Sequence, residues 1–273
     1  MSERDVSGRA FFRRSVSRRS VSRRTVLAGV STGIVGTLAG CLGDDRPDGV
    51  VLDPPENWEQ IRDAELANPM YGDQVPEATV PAPLQDRDVT TTEFVGERHA
   101  MFTFVFTRCP STCPMLTSAL ATVQADALEN GYADEFAFYP TTFDPEYDTS
   151  DVIEEYSENR GADPDAENWR FLRPVDDSHA NEVVDDTFGV AVDRVDEIDH
   201  GGDDGHDHDD DHNHGDDHDH DHGDDHEGHE KEFLHTNLVL LVNADGYVER
   251  SYTPQPPNLS DVLEDATTLR ERW

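Results

Sequence analysis

Hydrophobic residues in the middle of the chain fall into two buried strands with a helix between them. The mostly β-branched and aromatic run at 100–107 predicts the first strand, and 136–142 predicts the second. Between them, apolar residues recur at helical spacing from Leu116 to Ala127, and Asn130-Gly131 ends that helix. The pattern therefore predicts a strand–helix–strand unit.

The rest of the carboxy-terminal half continues the same alternation. It predicts helices at 151–160 and 178–188, a short strand at 190–195, a hairpin of 238–242 with 247–252, and a terminal helix at 261–272. Strand–helix–strand–helix followed by a hairpin and a helix is the order of a thioredoxin-like α/β fold, with a central mixed sheet flanked by helices.

The amino terminus has the features of an export signal. Ser22-Arg23-Arg24-Thr25-Val26-Leu27 is a twin-arginine motif, and the apolar run 26–40 after it is short for a membrane span of about 20 residues. Leu38-Ala39-Gly40-Cys41 resembles a lipobox, in which the cysteine is lipidated. We therefore expect a signal peptide at 1–40 and a lipid anchor on Cys41; an uncleaved anchor helix is the alternative.

Both readings of the leader place the protein on the outer face of the cytoplasmic membrane. The segment 41–77 is rich in Asp, Glu and Pro and is expected to be an acidic membrane tether. The folded domain is expected at 78–273, interrupted by a low-complexity loop at 196–232.

The charge of the chain excludes one class of partner. Its 273 residues include 60 Asp and Glu against 21 Lys and Arg, a net charge of −39, and eight of the basic residues are arginines within 1–24. A surface this acidic repels phosphates, so we expect no binding to nucleic acid. Such an excess is typical of adaptation to very high salt, where screening removes the self-repulsion, and it indicates an extreme halophile.

Two of the three cysteines are placed for chemistry. Cys109 and Cys113 lie between the first strand and the following helix, and a four-residue step across a helical turn puts both side chains on one face. They are then within reach of a disulfide or of one metal ion. Two thiolates favour Cu(I) or Zn(II), and two sulfurs alone rarely complete a site. Two buried cysteines acting as small hydrophobic residues are the alternative.

His235 is the candidate third ligand. It follows a very polar segment and precedes the apolar run 238–242. A lone histidine at the start of a strand is usually a polar edge residue, so its position alone leaves both interpretations open.

Three motifs, in the right order, resemble the SCO/SenC family of copper-binding assembly factors, which have a thioredoxin fold. Phe-Val-Phe-Thr-Arg-Cys109-Pro-Ser-Thr-Cys113-Pro is similar to the family's copper motif, and Thr142-Phe-Asp144-Pro-Glu-Tyr-Asp148-Thr is similar to its Asp-Pro-x-x-Asp-Thr segment. His235-Thr236 with the hairpin after it resembles the remaining ligand region. The resemblance implies that Cys109, Cys113 and His235 bind copper, as Cu(I), Cu(II) or both.

The resemblance also implies a function. We expect a membrane-anchored copper chaperone that delivers copper to the dinuclear copper site of haem–copper oxidase subunit II. The alternative is an extracytoplasmic thiol–disulfide oxidoreductase that acts on the cysteines of that subunit or of other exported proteins. A reductase needs the Cys109–Cys113 pair but no third ligand, so His235 discriminates between the two.

The insertion departs from the family pattern. From His200 to His229 inclusive the chain has ten histidines, interleaved with aspartate and glycine, and this composition predicts disorder. We expect an auxiliary metal-collecting segment, and a merely solvated insertion is the alternative. The candidate auxiliary ligands are His206, His208, His212, His214, His218, His220, His222, His226 and His229.

Four other residues receive weaker predictions. Asp144 is expected to begin the Asp-Pro turn rather than to support the metal site, and Met115 to fill space under the helix. His99 and His179 are expected at the surface or in capping positions.

Overall fold

The computed structural model describes residues 46–195 and 232–273, which belong to one unit, Asp44–Trp273. The predicted signal peptide, Cys41 and the histidines of the insertion lie outside the described residues. In chain order the elements are α1 (Trp58–Ile61), β1 (Thr79–Ala82), β2 (Arg87–Thr90), β3 (His99–Val105), α2 (Cys113–Asn130), β4 (Phe136–Thr142), α3 (Ser150–Asn159), α4 (Asp177–Asn181), β5 (Val192–Val195), β6 (Glu232–His235), β7 (Val239–Val242), β8 (Val248–Tyr252) and α5 (Leu259–Arg272).

The central sheet has four strands in the order β4-β3-β7-β8. The β3 and β4 strands are parallel, as a helical crossover requires, whereas β7 is antiparallel to both β3 and β8. Every residue of β3, β4 and β7 is buried, which explains their continuously apolar sequences. The predicted α/β architecture, a mixed sheet flanked by helices, is confirmed.

Helix α2 is the element that follows the cysteine loop and packs against β3, β4 and α5. It ends at Gly131, whose backbone adopts the left-handed conformation with φ of +77°. None of the helices within the described ranges combines the length and the apolar character needed to cross a bilayer.

The amino-terminal strap, residues 46–77, differs from the expected tether because it packs on the sheet. Leu52 is part of the hydrophobic core, and the main-chain N–H groups of Val51 and Leu52 each donate to the buried carboxyl group of Glu249, at 2.8 Å. Further along, the strap makes backbone hydrogen bonds with Val248 in β8. The strap therefore covers an outer edge of the sheet, where unpaired backbone groups would otherwise face water. Composition suggested a linker because acidic residues outnumber the few apolar anchors.

The region around the insertion also differs from the prediction. The expected helix at 178–188 is a short α4 followed by a π-helical turn, Glu182–Thr187. His235 ends the separate strand β6, which pairs antiparallel with β5, instead of opening β7. The described ends of the insertion, Val195 and Glu232, are paired residues of this β5–β6 hairpin.

Candidate metal centre

The two cysteines lie at the junction of β3 and α2. Cys113 is the first residue of α2, followed by Pro114, which suits the first helical turn because that turn needs no main-chain donor. Cys109 precedes it in the connecting loop, where its N–H donates to the carbonyl of Phe106 at 3.2 Å. Both side chains are buried, with 7% and 0% exposure, and both are free thiols.

His235 faces this pair from the end of β6. Its Nε2 lies 3.4 Å from Cys113 Sγ, and its Nδ1 lies 3.3 Å from the carbonyl oxygen of Thr236. A proton on Nδ1 donates to that carbonyl and leaves the Nε2 lone pair directed at the sulfur. The donor atoms of Cys109, Cys113 and His235 all lie within 4.8 Å of one another.

Three phenylalanines pack behind the histidine. The rings of Phe143 and Phe106 lie 5.0 and 6.0 Å from the His235 ring, centroid to centroid, and Phe233 contacts both phenylalanines. These apolar rings restrict the imidazole and exclude water from one side of the donor group, which strengthens electrostatic interactions there.

The thiols share a single negative charge. The hydrogen bond from the Cys113 thiol lowers the pKa of the Cys109 thiol far below its ordinary range, against the opposing effect of burial. Burial, together with the neighbouring Cys109 sulfur, raises the pKa of Cys113. These opposite shifts favour a metal-free pair that carries one negative charge, mainly on Cys109.

Two buried acids support the loop that carries Cys109. Asp148 accepts hydrogen bonds from the main-chain N–H and the hydroxyl of Thr107 and from the hydroxyl of Thr142, while burial raises the pKa of this carboxyl group. Asp144, only 1% exposed, forms an ion pair of 2.6 Å with Arg108. The guanidinium also stacks over the ring of Tyr147, 4.2 Å from its centroid.

The donor set fits a soft metal ion. Bonds of roughly 2.0–2.3 Å to nitrogen and sulfur, as zinc makes, put two ligands of one ion at most about 4.6 Å apart, so the present spacing requires only a small adjustment. Two sulfurs and an imidazole suit Cu(I) and Zn(II) and are poor ligands for hard cations. Among the described residues, only Cys109, Cys113 and His235 form a group of three or more potential ligands whose donor atoms lie close enough to share an ion.

The structure brings together the three residues singled out from the sequence as a site. Asp144 forms an ion pair with Arg108, the residue directly before Cys109. The sequence alone had favoured a simple Asp-Pro turn over such a supporting role. Met115 is 49% exposed, so it does not fill space under the helix. Sequence reasoning missed Asp148 and Phe143 as neighbours of the centre; their motif was visible, but their contacts depend on the pairing of β3 with β4.

Part of the chain matches a known protein family. The SCO1/SenC family model matches residues 84–212, a segment that contains both cysteines and both buried acids. The match spans 129 of the 273 residues, so the chain is similar to the SCO1/SenC family over just under half of its length. The match ends inside the insertion, so His235 lies beyond it, and the placement of that residue comes from the geometry above. Among curated proteins, none matches the chain.

The chain is similar to several solved structures, and the fold is shown by the first of them. A SCO1/SenC family lipoprotein from Bacillus anthracis str. Ames is 18% identical with a TM-score of 0.50, over 75% of this chain and 99% of that one. Bradyrhizobium japonicum ScoI with copper bound is 20% identical with a TM-score of 0.47, over 74% and 99%. BsSco, a Sco-family cytochrome c oxidase assembly protein with a disulfide switch, is 19% identical with a TM-score of 0.45, over 73% and 97%. The thioredoxin-like fold predicted for this chain is confirmed.

Proposed function

We propose that this protein is a copper chaperone of the SCO1/SenC family, which carries copper as its cargo on Cys109, Cys113 and His235. The observation that carries the proposal is the convergence of two sulfurs and one imidazole nitrogen within 4.8 Å. Two thiolates and an imidazole provide a trigonal environment for Cu(I) and can also hold Cu(II). The match of residues 84–212 to the SCO1/SenC family model supports copper over zinc.

The number of ligands supports transfer rather than permanent storage. Structural zinc sites are closed by four protein ligands, whereas the donor group in the described part of the chain has three. A site with an open position allows an incoming ligand to bind the ion before the first protein ligand leaves. Oxidation of the Cys109–Cys113 pair to a disulfide would remove both thiolates and release the metal, which links copper binding to the thiol redox state.

The proposed recipient is the dinuclear copper site in subunit II of a haem–copper oxidase, reached from the outer face of the cytoplasmic membrane. The match to the SCO1/SenC family model supports the recipient. The twin-arginine and lipobox motifs of the leader, with Cys41 as the lipidated residue, support the location. Mixing the copper-loaded protein with the copper-free soluble domain of subunit II tests delivery directly. After the two proteins are separated, copper should be found on the subunit II domain and should be lost from the chaperone in equal amount.

The second candidate function is thiol–disulfide exchange. It is favoured by the two unbonded thiols and by the low pKa of Cys109, because the thiolate is the attacking species in exchange. His235 separates the two functions, since a reductase uses only the cysteine pair.

The deciding experiment is an anaerobic Cu(I) titration of the reduced protein in molar salt, with residues 203–230 deleted so that the histidine-rich segment does not obscure the site. We expect one tightly bound copper, and His235→Ala should weaken it at least about 100-fold, more than the 10–100-fold typical of losing an outer partner. His179→Ala, a change of the same type at the start of α4, is the control. Absence of tight copper, or binding that is indifferent to His235, would favour the oxidoreductase.

We further propose that the histidines of the insertion collect copper for this centre. The described residues on either side support this, because β5 and β6 pair and His235 is the last residue of β6, only three positions beyond the end of the insertion at Glu232. Metal bound near that end would therefore lie close to the third ligand.

A further inference from the structure

The turn between β4 and α3, residues 143–148, contacts both halves of the metal centre. On one side, the ring of Phe143 packs against the imidazole of His235, with centroids 5.0 Å apart. On the other side, its two buried acids hold the residues that lead into Cys109. The turn contributes no atom to the donor group, so any effect it has on the metal acts through these contacts.

Asp148 makes the more extensive of the two acid contacts. One carboxyl oxygen accepts the hydroxyl of Thr107, and the other accepts the N–H of Thr107 at 3.2 Å and the hydroxyl of Thr142 at 2.5 Å. The side chain is fully buried, so water cannot replace these bonds. Asp148 thus joins the end of β4 to a residue only two positions before Cys109.

The next residue along the loop is held from the same turn. Arg108 pairs with Asp144 at 2.6 Å, and its guanidinium is confined further by the ring of Tyr147. Two consecutive residues of the cysteine loop are therefore fixed by two acids of one turn. A loop fixed in this way loses little conformational freedom when a metal binds, whereas a free loop must be ordered at the expense of affinity.

We propose that Asp148 is a positioning residue of the metal centre: it fixes Thr107 and thereby holds the backbone that presents Cys109. The same turn holds His235 through Phe143, so the spacing between the sulfur and nitrogen donors is set before any metal arrives. This inference deepens the proposed function and rests on it for the identity of the metal.

The test compares wild type with Asp148→Ala and Asp148→Asn, using the full chain, reduced and without oxygen, in molar salt. The metal-free readout is the alkylation rate of Cys109 by iodoacetamide, resolved by peptide mass spectrometry. The second readout is Cu(I) affinity by competition with bicinchoninate. We expect Asp148→Ala to speed alkylation at least about 10-fold and to weaken Cu(I) roughly 10–100-fold, as for loss of a partner outside the ligands. Asp148→Asn should lie between, because its oxygen can still accept one Thr107 hydrogen bond.

A matched control separates positioning from lost stability. Val262→Ala removes a fully buried side chain of α5, outside the cysteine loop and the 143–148 turn, and destabilises the fold without touching them. The proposal is overturned if Asp148→Ala alkylates and binds Cu(I) like wild type, or no differently from Val262→Ala. If Asp148→Ala fails to fold, Thr107→Val removes the hydroxyl partner alone and should show the same change in direction. If wild type binds no Cu(I), the proposed function fails, while the alkylation rates still decide whether Asp148 holds the loop.

Discussion

His99 provides a quantitative test of the packing at the start of β3. Its side chain is 4% exposed and lies between Phe136, at 5.2 Å between ring centroids, and Trp273, which it meets edge-on at 5.5 Å. Its Nδ1 has no hydrogen-bond partner among the described residues. Burial accordingly lowers the pKa of His99 from 6.5 to about 4, because a charged imidazole cannot be solvated there.

The depressed pKa fixes the sign and the size of a pH effect on stability. Well above pH 6.5, the ordinary pKa of histidine, the ring is neutral in both states and contributes no pH dependence. As the pH falls towards 4, His99 takes up a proton in the unfolded chain but stays largely neutral in the folded protein, so the free energy of unfolding falls. A shift of about 2.5 pKa units at 1.36 kcal/mol per unit corresponds to a loss of about 3 kcal/mol by pH 4.

The assay is urea denaturation in molar salt at several pH values between 4 and 7, for wild type and His99→Phe. The many carboxylates titrate in both proteins, so the difference between the two curves isolates His99. Between pH 7 and pH 4, the free energy of unfolding of wild type should fall by about 3 kcal/mol more than that of His99→Phe. Parallel curves would show that His99 is accessible to protons in the folded state and would refute the assigned burial.

Three further predictions concern the strap and the insertion. Glu249→Gln should lower the free energy of unfolding, measured with urea, by about 2–3 kcal/mol, because an amide nitrogen would face a main-chain N–H of the strap. It should also speed proteolysis within the strap, and an unchanged digest would count against these hydrogen bonds. Gly189→Ala would place a Cβ 2.1 Å from a carbonyl oxygen of the strap. Its loss of unfolding free energy should therefore exceed the roughly 1–2 kcal/mol expected for Gly131→Ala, a left-handed glycine with open space around it. Equal losses in the two variants would contradict this packing. Deleting residues 203–230 should reduce bound copper to one equivalent, and an unchanged stoichiometry would rule out metal collection by the insertion.

The strands and helices whose sequence pattern has a single explanation were predicted well. Both buried strands are long apolar runs, and the second is found at the expected residues, Phe136–Thr142. The terminal helix begins two residues earlier than expected, at Leu259, where the side chain of Asn258 caps it. Local propensity and burial agree at these places, so periodicity alone was sufficient.

Features that depend on long-range contacts were not predictable in the same way. His99 was expected at the surface because histidines beside strands usually are, but it is buried by Trp273 from the far end of the chain. The strap resembled a linker because its few apolar anchors are spread among acidic residues. In both cases the decisive partner is more than 150 positions away, beyond the range of any local pattern.

The same contrast between local patterns and long-range contacts applies to the candidate metal centre. The spacing of Cys109 and Cys113 is local, and the sequence was enough to place both on one face. His235 needed the family resemblance, because its approach to Cys113 depends on the pairing of β5 with β6. Asp148 was visible only as part of a motif, and its contact with Thr107 required the parallel register of β3 and β4.

The β5–β6 hairpin has an evolutionary consequence. It pairs Val195 with Glu232, between which 36 residues lie, while His235 stays in register opposite Val192. The free energy of closing a loop grows slowly with its length, by about 0.6 kcal/mol for each doubling. Histidines and aspartates can therefore be gained or lost between these strands at little cost to folding. The hairpin lets the composition of the insertion change while His235 keeps its place.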